Sequence, residues 1–279
     1  MNTLDQTIEK KIHRTIIPAV LNGEYKKAQD GMSHVLDELH ARIPDSKRIS
    51  YGIVYTVKLL SEYLYTQLFQ ARSPVFEIAE GLFSSSEEAR CRGVALGMLS
   101  FYGLEDYPRV LPYFEAAATA ESWDLREFAQ MFFRRLIKKH PCQMQAFLLR
   151  LADSEDANIR RFIAETLRPV QDNKWFYSDP EYSLSVLRHL FKERSPYPRT
   201  SVGNNLSDLA RRLPELVYAL VAELVANGDK NSYRIAYRAC RNLVKQDPLR
   251  VMDLLRVDQY RYKEAVYKRA DAMTAFNTR

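Results

Sequence analysis

Glycine is scarce in this chain, at nine residues in 279. There is also no sustained apolar–polar alternation and no Asn-Gly hairpin signal, so a β fold is excluded and nearly every segment reads as helix. Cysteine is scarcer still. Cys91, Cys142 and Cys240 are odd in number, far apart and form no Cys-x-x-Cys pair, which indicates neither a disulfide framework nor a zinc site. The five histidines supply no ligand motif either: His34 and His40 stand six apart, a spacing that suits no common helix-borne metal site. No uninterrupted apolar run approaches the ~18 residues of a membrane span. The opening Met-Asn-Thr-Leu-Asp-Gln lacks the basic and apolar regions of a secretory signal. These absences predict a cytoplasmic, metal-free protein without membrane contact.

What is present is core-forming material and positive charge. Hydrophobic residues make up 46% and charged residues 27%, an ordinary globular balance. A net charge of +6 and a pI near 9.1 favour an anionic partner. Breaks at Pro44, Pro74, Pro108, Pro141, Pro180, Pro196, Pro214 and Pro248 leave pieces of helical length. Setting Arg92-Gly-Val-Ala-Leu, Arg126-Glu-Phe-Ala-Gln, Arg161-Phe-Ile-Ala-Glu and Arg199-Thr-Ser-Val-Gly side by side gives intervals of 34, 35 and 38 residues. A helix with Arg234 and Arg238 continues the series. Partner helices precede most of them, over 110–120, 144–151 and 182–191. The period falls at the lower edge of the HEAT and armadillo range. The expected fold is all-α, a right-handed α-α superhelix of HEAT-like repeats forming a curved solenoid; an irregular helical bundle is the plainer alternative. Its parts, within one domain, are an N-terminal helical cap over 1–72, repeats over 73–255, and a basic C-terminal helix and tail over 256–279.

Three of the helices carry chemistry. In the helix from Trp123 to Lys138, Leu125, Phe128, Ala129, Phe132 and Leu136 form the apolar stripe, and Trp123, Glu127, Gln130, Arg134 and Lys138 fall opposite. Indole area normally belongs in a core, so Trp123 beside Glu127 on a polar face suggests a site. Asp124-Leu-Arg-Glu127 reads as well as a capping box, with Trp123 as a hydrophobic staple. From Ala157 to Arg168, Ile159, Phe162, Ile163 and Thr166 point inward. Arg161, Glu165 and Arg168 stand opposite, either as a site or as surface ion pairs at helical spacing. In the third helix Val202, Leu206, Leu209 and Leu213 pack inward, and Asn204, Asn205 and Asp208 face away, with Arg211 and Arg212 at the border. Adjacent asparagines cost ~0.5–0.7 kcal/mol each against alanine in a helix, so they imply a polar task, either ligand contact or hydrogen bonding between repeats. Lys174 and Trp175 precede Phe176 and Tyr177 in a loop that could serve packing or ligand contact. Counted from their arginines, the three carboxylates are offset by up to ~12 Å along parallel helices.

From Ala89 to Pro248 the chain resembles the bacterial alkylpurine DNA glycosylases with HEAT-like repeats, the AlkC/AlkD group, and is most similar to the AlkC branch. Val202-Gly-Asn-Asn-Leu-Ser-Asp208 is similar to that branch's Val-Ala-Asn-Asn-Leu-Asn-Asp. Trp123-Asp-Leu-Arg-Glu127-Phe-Ala, Ile159-Arg-Arg161, Glu165-Thr-Leu-Arg168-Pro169 and Arg241-Asn-Leu-Val-Lys245 follow in order. Two motifs depart from the branch. Ala164-Glu165-Thr166 replaces Ser-Glu-Gly, and Val170-Gln-Asp-Asn-Lys-Trp175 replaces Leu-Pro-Trp. A basic helix from Arg256 to Arg269 is expected where certain AlkC proteins carry an immunoglobulin-like domain.

The resemblance implies a concave basic groove that binds duplex DNA containing alkylated purines. Excision of the N3- or N7-alkylated base then needs no metal or cofactor and no deep base pocket. By position it implies Glu127, Glu165 and Asp208 as catalytic carboxylates and Trp123 or Trp175 as lesion contacts. Arg161, Arg168, Lys174, Arg199, Asn204 and Asn205 would hold the DNA, and the protein would be a monomer at the bacterial nucleoid. Two other readings remain: a non-catalytic HEAT-repeat protein that binds bent or branched DNA, and a HEAT scaffold for protein partners.

Overall fold

The computed structural model describes residues 4–48 and 52–277. Its helices run, in order, α1 Gln6–Leu21, α2 Tyr25–Ala41, α3 Asp45–Arg48, α4 Gly52–Gln70, α5 Val75–Ser85, α6 Ala89–Tyr102, α7 Tyr107–Ala118 and α8 Trp123–Lys139. They continue with α9 Pro141–Leu151, α10 Ala157–Thr166, α11 Pro180–Leu187, α12 Pro196–Leu209, α13 Pro214–Ala226, α14 Lys230–Ala239, α15 Pro248–Leu255 and α16 Arg269–Asn277. Two strands, β1 Gln259–Tyr262 and β2 Ala265–Lys268, form an antiparallel hairpin before α16. The fold is all-α apart from that hairpin. Among the described residues no helix is long and apolar enough to cross a membrane.

The prolines act as starts more than as stops. Pro141, Pro180, Pro196, Pro214 and Pro248 are the first residues of α9, α11, α12, α13 and α15, and Pro108 is the second residue of α7. Proline suits that place because its missing N–H would go unpaired in the first turn and its φ is already helical. Elsewhere side chains cap the free N–H groups. Ser122 accepts from Leu125 N (3.4 Å), Asp156 from Asn158 N (2.7 Å), and Asp229 from Asn231 N and Ser232 N (both 2.9 Å).

The chain divides after Pro141 into two compact units. In the first, α4, α6 and α8 lie side by side, with α5 packed on α6 and α7 on α8. In the segment read as an N-terminal cap over 1–72, α1 packs on α2, and α4 packs along α6. In the second, α10, α12 and α14 form the corresponding layer, and α13 backs α14.

A repeated arginine marks the second helix of each pair. Arg92, Arg126, Arg160 and Arg199 are each the fourth residue of α6, α8, α10 and α12. Arg126 donates to Ala120 O and Glu121 O (2.6 and 2.8 Å), Arg160 to Ser154 O (2.5 Å) and Arg199 to Arg194 O (2.8 Å). These bonds tie the helix start to the loop before it. They correct the alignment drawn from sequence, since the repeated residue in α10 is Arg160 and not Arg161.

The basic helix expected from Arg256 to Arg269 is absent. Arg256 ends α15 in the left-handed region (φ 56°), and the chain turns into the hairpin. Tyrosine and valine favour strands, and alternation puts Tyr260 and Tyr262 on one face. Tyr260 is fully buried. It stacks on Tyr237 with centroids 4.5 Å apart, and its hydroxyl donates to Tyr237 O at 2.8 Å. That aromatic contact outweighs helical propensity.

Close approach of α12 to α14 depends on Gly203, where an added Cβ would stand 2.7 Å from Arg238 Cβ. Gly203→Ala should therefore lower stability by about 1–3 kcal/mol through overpacking, read as a shift in the urea midpoint without a change in slope.

Candidate nucleic-acid interface

In the first unit, α8 presents Trp123 and Glu127 from its first turns. Ser122, not Asp124, is the capping residue, so Glu127 is the fifth helical residue and takes no part in a capping box. Trp123 is 57% exposed, too open to act as a staple. Both line a cavity of about 530 Å³ together with His40, Arg48, Gly52 and Met131. Gln130 donates from Nε2 to Glu127 Oε2 (2.9 Å), and Arg134 donates to Gln130 Oε1. Glu127 is thus held at one end of a ladder running down α8, beside a bare indole face. The expectation for this helix otherwise holds: Leu125, Phe128, Ala129, Phe132 and Leu136 are buried. Gln130 and Arg134, expected on the polar face, are buried as well.

The second unit brings Glu165 and Asp208 together on one guanidinium. Arg168 donates from Nη1 to Glu165 Oε2 (3.0 Å), and from Nε and Nη2 to Asp208 Oδ2 (2.9 and 2.5 Å). Between Glu165 and Asp208 the offset counted along the helices is bridged by the Arg168 side chain; Glu127 belongs to the other unit. Asn205 donates to Ala164 O at 3.0 Å, which sets Asp208 against the end of α10. Asp208 also lies near Arg241 (3.4 Å) and Arg211 (3.5 Å).

The expected placement on solvent faces is corrected here: Glu165 is only 6% exposed and Asp208 4%. Burial works to raise the Glu165 carboxyl. The Arg168 charge, a hydrogen bond from Ser201 and the Arg161 charge together outweigh it and hold the group below its ordinary value. Burial likewise opposes the Arg168 charge, but Glu165 and Asp208 overcome it and raise the guanidinium's pKa. The pair is ionised and internally compensated.

Several residues expected at DNA make contacts within the protein and are enclosed, where solvent faces were expected. Asn205 is fully buried as a strut between α12 and α10. Arg199 is buried, bonded to Arg194 O and to Asn231 Oδ1 (both 2.8 Å). Arg161 is buried with its guanidinium 4.5 Å from the Tyr197 ring centroid. Asn204 accepts from Arg238 Nε (2.9 Å) and Arg241 Nη1 (3.2 Å) and so orients two cations. Trp175 lies in a 3-10 helix, Gln171–Tyr177, packed against Phe176 and Tyr182 at 4.5 and 4.8 Å, and Lys174 beside it is exposed. Tyr177, read from sequence only as part of the aromatic loop, donates its hydroxyl to Asp208 O at 3.3 Å; sequence reasoning gave no role at a site to this residue or to His40 and Arg48 at the cavity. None of these three stands in a spacing that would have marked it.

No protein-family model matches the sequence, and no curated protein does. Solved structures share its fold. The crystal structure of smu.31 from Streptococcus mutans UA159 matches at 16% identity and TM-score 0.54, over 75% of this chain and 98% of that one. AlkD2 from Streptococcus mutans matches at 18% and 0.55 over the same shares. The Pseudomonas fluorescens alkylpurine DNA glycosylase AlkC, bound to DNA containing an abasic site analog, matches at 23% and 0.52, over 90% of this chain and 65% of that one.

Removing Arg168 leaves two buried carboxylates partly uncompensated. Arg168→Ala should cost about 3 kcal/mol, measured by denaturant unfolding at neutral pH. In the intact protein, the stabilisation from Glu165 is complete above its ordinary value of 4.5 and is lost as pH falls through the lower folded value. In Arg168→Ala burial is less opposed, so the melting temperature should recover part of its deficit between neutral pH and pH ~5. These features give this chain the helical fold of the AlkC and AlkD2 structures, with an open Trp–Glu cleft in one unit and a buried acid–arginine cluster in the other.

Proposed function

We propose that the protein binds duplex DNA and hydrolyses the N-glycosidic bond of N3- or N7-alkylated purines. The observation that carries this reading is the exposed indole of Trp123 beside Glu127 at the mouth of a cavity. Such an alkylated purine is a cation and already a good leaving group. An indole face attracts it by ~0.5–2 kcal/mol, more as water is excluded. As the bond from C1′ to the base breaks, its electron pair neutralises the base and leaves an oxocarbenium-like sugar, as in glycoside hydrolysis. A carboxylate stabilises that cation and accepts a proton from the water that adds to C1′. The product is an abasic site, and an analogue of that product occupies the AlkC structure that shares the fold.

Glu127, Glu165 and Asp208 are the carboxylates we assign to this chemistry, and the charge of +6 supports contact with the phosphate backbone. Glu127 is the strongest of the three, because it lines the cavity beside the exposed Trp123 indole, whereas Glu165 and Asp208 are buried on Arg168. A second reading, binding of bent or branched DNA without chemistry, draws support from the Arg168 bridge, which already compensates Glu165 and Asp208.

Base release from duplex DNA containing N3-methyladenine, with enzyme in excess, tests the proposal. Glu127→Gln should slow single-turnover release about 10²-fold or more with duplex affinity retained, and Trp123→Ala should slow it roughly tenfold. DNA binding by the wild-type protein with no release above buffer would leave the second reading in its place.

A further inference from the structure

The hairpin that replaces the expected C-terminal helix brings a separate group of cations together. Arg234, Arg238 and Arg241 lie at helical spacing along α14 and the turn after it. Tyr262 of β1 reaches them: its hydroxyl accepts from Arg241 Nη1 at 3.2 Å. Its ring centroid lies 5.5 Å from the Arg241 guanidinium, 5.9 Å from that of Arg238 and 6.0 Å from Lys263 Nζ. Asn204 fixes Arg238 and Arg241 from below through one amide oxygen. Arg241 is also engaged with Ser207 and Asp208. Among the described residues, no carboxylate pairs with Arg234, Arg238 or Lys263. The hairpin itself carries Arg261, Lys263 and Lys268 against Glu264 alone.

Lys263 supplies a second, independent observation. It sits at the first position of the two-residue tip with φ 54°, a conformation that hairpin tips ordinarily give to glycine. Lysine there holds a strained backbone and projects an ammonium toward Tyr262. Residues kept in sparsely populated backbone regions concentrate where a ligand is met. The concentration of like charge also shows on Tyr262. Burial would raise its hydroxyl, but the Arg241 hydrogen bond and the charges of Arg241, Arg238 and Lys263 bring it below the ordinary value.

We propose that the hairpin tip and the outer face of α14 form a binding site for the phosphodiester backbone of nucleic acid. Arg238 and Lys263 are the contacting cations, and Arg234, one turn earlier, extends the track. Arg241 and Asn204 are positioning residues. A two-stranded ribbon bearing cations is a form that proteins lay against nucleic acid, and guanidinium groups pair well with phosphate oxygens. This inference rests on the DNA-binding part of the function proposed above, not on base excision.

The test is fluorescence anisotropy of the full chain with an undamaged duplex oligonucleotide across a potassium chloride series. Each lost phosphate contact should lower the slope of log affinity against log salt by about 0.9 and weaken binding about fivefold near physiological salt. Lys263→Gly is the sharpest variant, because it removes the ammonium while relieving the backbone. Its melting temperature should equal or exceed that of the wild type while DNA affinity falls. Arg238→Gln should add a second step of the same size. Wild-type binding with unchanged slopes in both variants would overturn this site and leave the DNA reading standing. Absence of duplex binding by the wild type would overturn both.

Discussion

The second unit is organised around one guanidinium shared by two buried carboxylates. Arg168 comes from the turn just after α10, Glu165 from the last turn of that helix, three residues earlier, and Asp208 from the last turn of α12. Taking three charges out of water is costly, and only good geometry recovers that cost. The geometry exists because Asn205 pins α12 to Ala164 and so fixes the register of the two helices. The same aspartate then draws in Arg211 and Arg241, and Arg241 holds the hairpin through Tyr262. One electrostatic cluster therefore links α10, α12, the turn after α14 and the C-terminal strands.

The two candidate sites differ in physical character. Around Trp123 and Glu127 the surface is open, the indole is exposed, and the carboxylate accepts from Gln130 Nε2. Such a place can attract a cation from solution. Around Glu165 and Asp208 charge is balanced inside the protein, so its first effect is to fix helices and hold Glu165 ionised. Among the described residues, Arg234, Arg238 and Lys263 on α14 and the hairpin form a group of cations with no carboxylate partner, open to solvent on that face.

Much of the helical plan was legible beforehand. Prolines mark helix starts because their backbone fits the first turn. The apolar stripes of α8 and α10 turn inward as their 3.6-residue period requires. The polar residues of the same helices were harder to place. Helices that have neighbours on two sides bury more than one stripe, so Arg161, Glu165, Asn205 and Asp208 read as outward residues although they are enclosed. The repeated arginine was assigned one residue late in α10, since Arg160 and Arg161 are indistinguishable until one of them is seen bonding to Ser154 O.

Local sequence was sufficient for much of what depends on neighbours in the chain: helix starts, the apolar stripes, the surplus of positive charge and the roughly 34-residue rhythm of the first pairs. Packing decided which polar groups meet, because that depends on the register between helices and no short-range rule sets it. The convergence of Glu165 and Asp208 on Arg168 and the exposure of Trp123 both come from such registers. So does the turn of Gln259–Lys268 into strands, which the burial of Tyr260 against Tyr237 made more favourable than continuing as helix.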